Sequence, residues 1–404
     1  MQKILLFIAS LFYFNSLFAK DEIKSWQGIH ETLLSRLEQQ FADPPVEFAN
    51  HVIWGWEGKM DKKTICNDLD SIKKKGFRAV IFEAGYKLPF KYLSEEWFKA
   101  IRTGVLEAKK RGMKVWIIDE GKYPSGFAGG KFSQERPDLR MQALVIGDTI
   151  QIKRGEVMTN HKIAPEIISA VAVSTSGAPN RTVAINNGEI SFNAGLDDWK
   201  ILLVKSDFRT AVTRAVNNPN GGKDATNSLC DYLNPVAVQQ FIDWTHKQYK
   251  KYLGKELGTT VLGFRGDEPD YAHLPWTPSI VQTFKETKGY DPTPYLASFF
   301  TASPTIQEQR VKADYWDVWS SLFATHFFKL QADWCAANGV AHITHLNKEH
   351  EMPACVKAEG DYFRNLSKVQ IPGVDAIWNQ IWPGTLNDFP KLASSVAHVY
   401  GKPR

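Results

Sequence analysis

The chain has 404 residues, 43% hydrophobic and 12% aromatic, with 49 Lys and Arg against 44 Asp and Glu for a net charge of +5. This is a globular composition, long enough for one large domain or two to three ordinary ones, and the mean hydropathy of −0.30 suits a soluble chain. No basic run interleaves with aromatics as a nucleic-acid groove requires; Lys73–Lys75 and Lys109–Arg111 fall at helix ends, where cations complement the helix dipole.

Lys3 followed by the apolar run Ile4–Phe18 reads as a signal peptide over residues 1–19, with Leu17-Phe18-Ala19 before the cut. The run is short for a bilayer span, and no later segment is long enough, so a periplasmic or secreted protein without membrane insertion is expected. Cys66, Cys230, Cys335 and Cys355 show no CxxC spacing, which argues against a structural zinc. An oxidising compartment permits a disulfide without selecting a pair.

Residues 20–50 read as an amphipathic helical lead-in, with Leu33, Leu34 and Leu37 at helical spacing. Three strand–helix units follow. Residues 51–58, 77–85 and 113–121 are apolar strands; 61–75 and 94–111 are helices that end at Gly76 and Gly112. Such repeats imply parallel pairing. Each strand ends in acid: Glu57, Glu83, then Asp119 and Glu120. Pro124–Gly130 reads as a mobile glycine-rich loop lining a substrate, without the Gly-Lys-Ser/Thr of a phosphate loop.

The pattern changes over 141–205. Five short β-runs (143–146, 150–152, 170–173, 183–185, 200–204), separated by turns such as Asn186-Asn187-Gly188, read as an antiparallel insertion. The α/β rhythm then resumes over 206–404. Helices are expected at 235–253, 276–288, 306–338 and 386–399, and strands at 259–268, 340–346 and 374–380. The fold class expected is α/β, a (β/α)₈ TIM-barrel-like arrangement with 20–140 as its first part, an inserted antiparallel β subdomain, and about six of eight strands before the chain stops.

The strand at 259–268 carries the strongest chemical signal. Its apolar run ends in Asp267, Glu268 and Asp270 beside Gly266 and Pro269. The loops after the strands form the catalytic mouth of such barrels, and crowded carboxylates raise one another's pKa toward a general acid's range. A solvated acidic turn is the plain alternative. His342 and His345 are three apart on a strand and so face opposite ways, which makes them poor joint metal ligands. His345, Asn347 and Glu349 are expected at the mouth, and Glu83, Asp119, Glu120 and Asp267 are candidates for hydroxyl recognition. Thirteen Trp and thirteen Tyr suit a sugar ligand. Trp54, Trp56, Trp378 and Trp382 are candidate stacking platforms, each with core packing as the competing role.

Several motifs, in order, resemble glycoside hydrolase family 106, the α-L-rhamnosidase-like (β/α)₈ group, inverting and exo-acting. They are Pro124–Gly130, Asp267-Glu268-Pro269 with Trp276-Thr277, Gly289–Leu296, Ile371–Asp375 and Ser394–Pro403. The resemblance spans roughly 50–404. It implies that Glu268 is the catalytic acid and Asp375 the water-activating base, and that the substrate is an oligo- or polysaccharide ending in a rhamnose-like sugar. The family run resembles Pro-Glu-x-Glu where this chain has Pro372-Gly373-Val374-Asp375, so one acid is lost and one shortened. Members also extend through further β domains and can bind calcium near the sugar; bond cleavage itself requires no cofactor. A non-catalytic carbohydrate-binding protein or inactive hydrolase fragment is the competing reading, and a lyase a weaker third.

Overall fold

The computed structural model describes residues 33–43, 50–215, 226–271, 274–377, 380–381, 383–384 and 388–402. The expected signal peptide, most of the lead-in, Trp378 and Trp382 lie outside these residues. The part of the lead-in that is described forms a helix, Leu34–Ala42, none of whose residues is buried.

A six-stranded parallel sheet organises the chain. Its strands are β1 (His51–Trp56), β2 (Ala79–Ala84), β3 (Lys114–Ile118), β4 (Val261–Asp267), β5 (Ala341–His345) and β6 (Ile371–Pro372), in that spatial order. Helix α1 (Lys62–Lys74) crosses from β1 to β2 and α2 (Glu95–Lys110) from β2 to β3. The Asp61 carboxylate accepts the Thr64 N–H at 2.9 Å, and the Ser94 hydroxyl accepts that of Trp97 at 3.3 Å, so each helix starts on a side-chain cap. The α2 positions Trp97, Ile101, Val105 and Ala108 are buried, the face their spacing predicts.

The two faces of the sheet differ. Trp54, Trp56, Phe82 and Ile117 belong to the core beneath the helices, with the Trp56 and Phe82 rings 5.0 Å apart. Trp56, fully buried, is therefore a core residue and not a sugar platform, and Trp54, partly buried, packs against it. The opposite face carries Trp116, Leu262 and Ala341 with Ile81, Ile343 and Ile371. At Gly263 the strands come too close for any side chain: a Cβ there would lie 1.9 Å from the Ala341 carbonyl oxygen and 2.7 Å from the Trp116 ring.

The chain between β3 and β4 supplies all but one strand of the two larger antiparallel sheets, the exception being Pro275–Trp276 from after β4. The larger orders Pro275–Trp276, Gln142–Ile152, Trp199–Phe208, Ile167–Ser174 and Arg181–Thr182; the smaller joins Val157–Lys162, Glu189–Asn193 and Ile185–Asn186. The runs 143–146 and 150–152 are one strand, and Val157–Lys162 and Glu189–Asn193 are additions whose mixed polarity hides them. Side-chain alternation explains the layering. Ile201 and Leu203 enter a local core with Phe192, while Leu202 and Val204 face the main core with Phe241 and Tyr315.

Three further expectations change. The helix expected over 235–253 divides into α3 (Pro235–Trp244) and α4 (His246–Leu253) at Thr245 (φ −111°, ψ −86°), whose hydroxyl donates to the Phe241 carbonyl at 2.7 Å. Such back-bonding competes with helix continuation. The helix over 306–338 is α5 (Ile306–Leu322) and α6 (Lys329–Ala337) joined by a π-turn at Phe323–Phe328. The sixth strand is Ile371–Pro372, paired with Ile343 and Thr344, so Asp375 follows the strand instead of lying within 374–380.

The Gly263 contact yields a test. Gly263→Ala forces β4 away from β5 and should lower stability by roughly 1–3 kcal/mol or more, as overpacking does. A melting temperature equal to that of the parent chain would refute the close-approach argument.

Candidate active site

β4 pairs in parallel with β5 so that Asp267 stands opposite His345. Arg265 and Asp267 share a face of the strand by its two-residue period. Glu268 follows at φ +39°. A non-glycine residue in that region stores about 1–3 kcal/mol of strain, and such residues cluster at functional sites.

His345 is the hub. Its Nε2 lies 3.5 Å from Asp267 Oδ1, 3.6 Å from Glu268 Oε1 and 3.7 Å from Asp375 Oδ2. The residue is 3% exposed, and burial, followed by the Arg265 guanidinium, lowers its pKa to about 4 despite the opposing pull of Asp267 and Asp375. The imidazole is therefore neutral at neutral pH, and these contacts are not ion pairs. Arg265 Nη2 approaches His345 Nδ1 at 3.4 Å. Arginine can only donate, so Nδ1 accepts and the ring proton is assigned to Nε2, facing the three carboxylates. Burial also raises the pKa of Asp267, with Arg265 and His345 opposing.

Ser125 locks this rim. Its hydroxyl donates to Asp119 Oδ1 at 2.6 Å and accepts the Asp267 N–H at 2.7 Å, while its own N–H donates to the Asp267 carbonyl at 2.8 Å. Asp119 and Glu120 are both 0% exposed, so neither lines the mouth as expected. Glu120 accepts four backbone N–H groups, from Gly121, Phe127, Ala128 and Gly129, at 2.6–2.9 Å. Burial raises its pKa to about 7 against those donors. Pro124–Gly130 is thus folded around a buried carboxyl; Ser125, Phe127, Ala128 and Gly130 are buried, which is not the mobile loop its glycines suggest.

The remaining candidates form a ring behind the hub. Glu83 pairs with Lys122 Nζ at 3.0 Å. Asn347 Nδ2 donates to Tyr123 Oη at 3.1 Å and approaches Asp270 Oδ2 at 3.4 Å, and the Asn347 backbone N–H donates to the buried Glu359 carboxyl. Glu349 is 3% exposed; its Oε1 accepts the Leu346 N–H at 2.9 Å and the Asp375 N–H at 3.4 Å, and burial lifts its pKa to about 8. It holds the loop that presents Asp375. Asp267, Glu268, His345 and Asp375 converge directly, Glu349 bonds to the Asp375 backbone, Glu83 and Asn347 bond to Lys122 and Tyr123 instead, and Trp378 lies outside the described residues. Arg265, Lys122, Tyr123 and Glu359 complete the site without being anticipated. Only Arg265 had a signal, its two-residue spacing from Asp267.

Glu268, His345 and Asp375 each offer a donor atom within 4.8 Å of the others. Calcium takes six to eight oxygens. One of these donors is an imidazole, its Nε2 bears the proton, and Arg265 already places a cation against His345. The residues do not fit calcium.

A parallel sheet whose C-terminal rim gathers carboxylates around a buried histidine brings groups that can give and take protons to one place in an α/β fold. Residues 182–404, more than half of the chain, match the α-L-rhamnosidase family, glycoside hydrolase family 106, and the chain belongs to that family. A rhamnosidase from Novosphingobium sp. PP1Y shares the fold, with a TM-score of 0.66 at 16% identity over 90% of this chain and 52% of that one. The chain thus spans about half the length of that structure. An α-amylase from Geobacillus thermoleovorans aligns at a TM-score of 0.27 and 14% identity, over 78% of this chain and 50% of that one. One from H.orenii aligns at 0.25 and 12%, over 81% and 67%. No curated protein matches the chain in sequence.

Two tests address the site. Ser125→Ala leaves the Asp267 N–H and the Asp119 carboxyl short of a buried partner and should cost about 1–3 kcal/mol for each group stranded; an unchanged denaturation midpoint would contradict the lock. Glu349 has a folded pKa of about 8, above its ordinary 4.5, so the folded form binds the extra proton. Its contribution is complete below about pH 4.5 and is lost as pH rises through 8. His345 acts with the opposite sign, but only below 6.5. The melting temperature should therefore fall more steeply between pH 6.5 and 8 in the parent chain than in Glu349→Gln; identical slopes would count against the buried acid.

Proposed function

We propose that this protein is a glycoside hydrolase that removes a terminal rhamnose-like sugar from an oligo- or polysaccharide, with Glu268 as general acid and Asp375 as the base that activates water. The observation that carries the reading is the convergence of these two carboxylates, from separate strand ends, on one buried neutral imidazole. Glycoside hydrolysis needs one protonated carboxyl at the leaving oxygen and one ionised carboxylate opposite. The His345 Nε2 faces both without adding a charge. Membership of the α-L-rhamnosidase family supports the sugar class.

We infer that the six-stranded sheet is part of a (β/α)₈ barrel, that 141–205 is an insertion in it, and that the protein works in the periplasm or outside the cell, the last resting on the leader-like run after Lys3. The stereochemical course is constrained by separation. An inverting pair stands roughly 6.5–9.5 Å apart to admit water, whereas a retaining pair stands about 5–5.5 Å apart. Here the donor oxygens lie within 4.8 Å. That bound is on single oxygens, and the wider separation of the two groups is what decides between the courses. The same closeness, with the Pro372–Asp375 departure, favours a second reading in which the site binds sugar without cleaving it.

Kinetics separate the two. Glu268→Gln should lower kcat on an alkyl or sugar α-L-rhamnoside by about 10²–10⁴-fold, as loss of a general acid does, with a much smaller loss on an aryl rhamnoside whose leaving group needs no proton. Equal losses on both substrates, or normal turnover, would remove Glu268 from the acid role. Binding by the parent chain with no turnover of either substrate would establish the second reading.

A further inference from the structure

A second cluster of ligand-type side chains lies outside the carboxylate site. His246 opens α4, Cys335 lies near the end of α6, and His342 stands on β5 facing away from His345. Their donor atoms lie within 4.8 Å of one another. His246 and Cys335 are 0% exposed and His342 1%. His246 Nε2 and His342 Nδ1 are buried with no hydrogen-bond partner. An unpaired buried nitrogen is costly, and a core that needed only volume at these positions would be better served by apolar residues.

The arrangement has the features of a ligand set. Thr245 Oγ1 lies 2.9 Å from His246 Nδ1, a contact that orients the ring and leaves Nε2 facing inward, as outer-shell partners do at metal sites. The rings of Phe264, Trp334 and Phe241 surround His246 at centroid distances of 4.2, 5.3 and 6.1 Å. Metal ligands bind deprotonated, so the two histidines would bind as neutral imidazoles and the cysteine as a thiolate.

Charge then selects the ion. Two neutral imidazoles and one thiolate sum to −1. A monovalent cation leaves the site neutral, whereas a divalent one leaves a net positive charge in an apolar core, where desolvation opposes it. No carboxylate is among the donor atoms of this cluster. Thiolate with imidazole is also a donor set that suits copper. We propose that His246, Cys335 and His342 form a three-coordinate site for Cu(I) between the sheet and its helices, on the opposite face of β5 from the sugar site. When the sulfur–copper bond forms, the Cys335 proton leaves to solvent, and no electron is transferred. Because the donors are enclosed, the ion enters as the chain folds.

The full chain, produced in cells grown with added copper, should carry about one copper per molecule by elemental mass spectrometry, consistent with metal binding coupled to folding. Chain refolded anaerobically with tetrakis(acetonitrile)copper(I) should do the same and should melt at a higher temperature than the metal-free form. X-ray absorption at the copper edge should report one sulfur and two nitrogen neighbours. Cys335→Ser and His342→Gln should each lower the copper content at least tenfold, with circular dichroism confirming that the variants are folded. Copper at background in the parent chain by both routes, equal copper in folded Cys335→Ser, or a shell without sulfur would each overturn the site. Preferential uptake of Zn²⁺ from an equimolar mixture would overturn the assignment to a monovalent ion.

Discussion

The register that sets Asp267 beside His345 across β4 and β5 is the constraint on which the mouth depends. A parallel pair that slipped by one residue would turn Arg265 and Asp267 toward the helices and Phe264 toward the rim. Gly263 permits the register, since no side chain fits between its Cα and the Ala341 carbonyl. Ser125 then ties the end of β4 to the loop after β3 through both its backbone and its hydroxyl. The position of Glu268 follows from these three contacts and from the left-handed turn that comes next.

Burial determines what that geometry can do. His345 touches three carboxylates, yet its enclosure and the neighbouring guanidinium keep it uncharged. Glu349, Glu120 and Asp119 are buried acids with raised pKa values that shape loops by accepting hydrogen bonds. Acids on this rim thus divide into those that face the mouth and those that build it.

Much of this was legible in the sequence. Apolar runs closed by glycines specify β1 to β5 and the two crossover helices, and Asp267-Glu268 at a strand end marks the rim. Glu268, Asp375 and His345, named from three separate segments, meet in space. Solvent exposure was not legible. Asp119 and Glu120 end β3 just as Asp267 and Glu268 end β4, but their surroundings differ because of Ser125 and the amides of 127–129, which no pattern of hydrophobicity encodes. Trp54 and Trp56 are set by strand phase relative to helices that the strand itself does not reveal. The sixth strand is Ile371–Pro372 and not 374–380, because pairing with Ile343 and Thr344, which the sequence does not display, selects it.

The central claim is that Glu268 and Asp375 act as one unit across His345. It is tested most directly by kcat/KM on a terminal α-L-rhamnoside for Glu268→Gln, Asp375→Asn and the double variant. Groups that act as a unit are strongly non-additive, so the double variant should be little slower than the slower single. Losses that multiply, or a single variant with the parent's rate, would contradict the account.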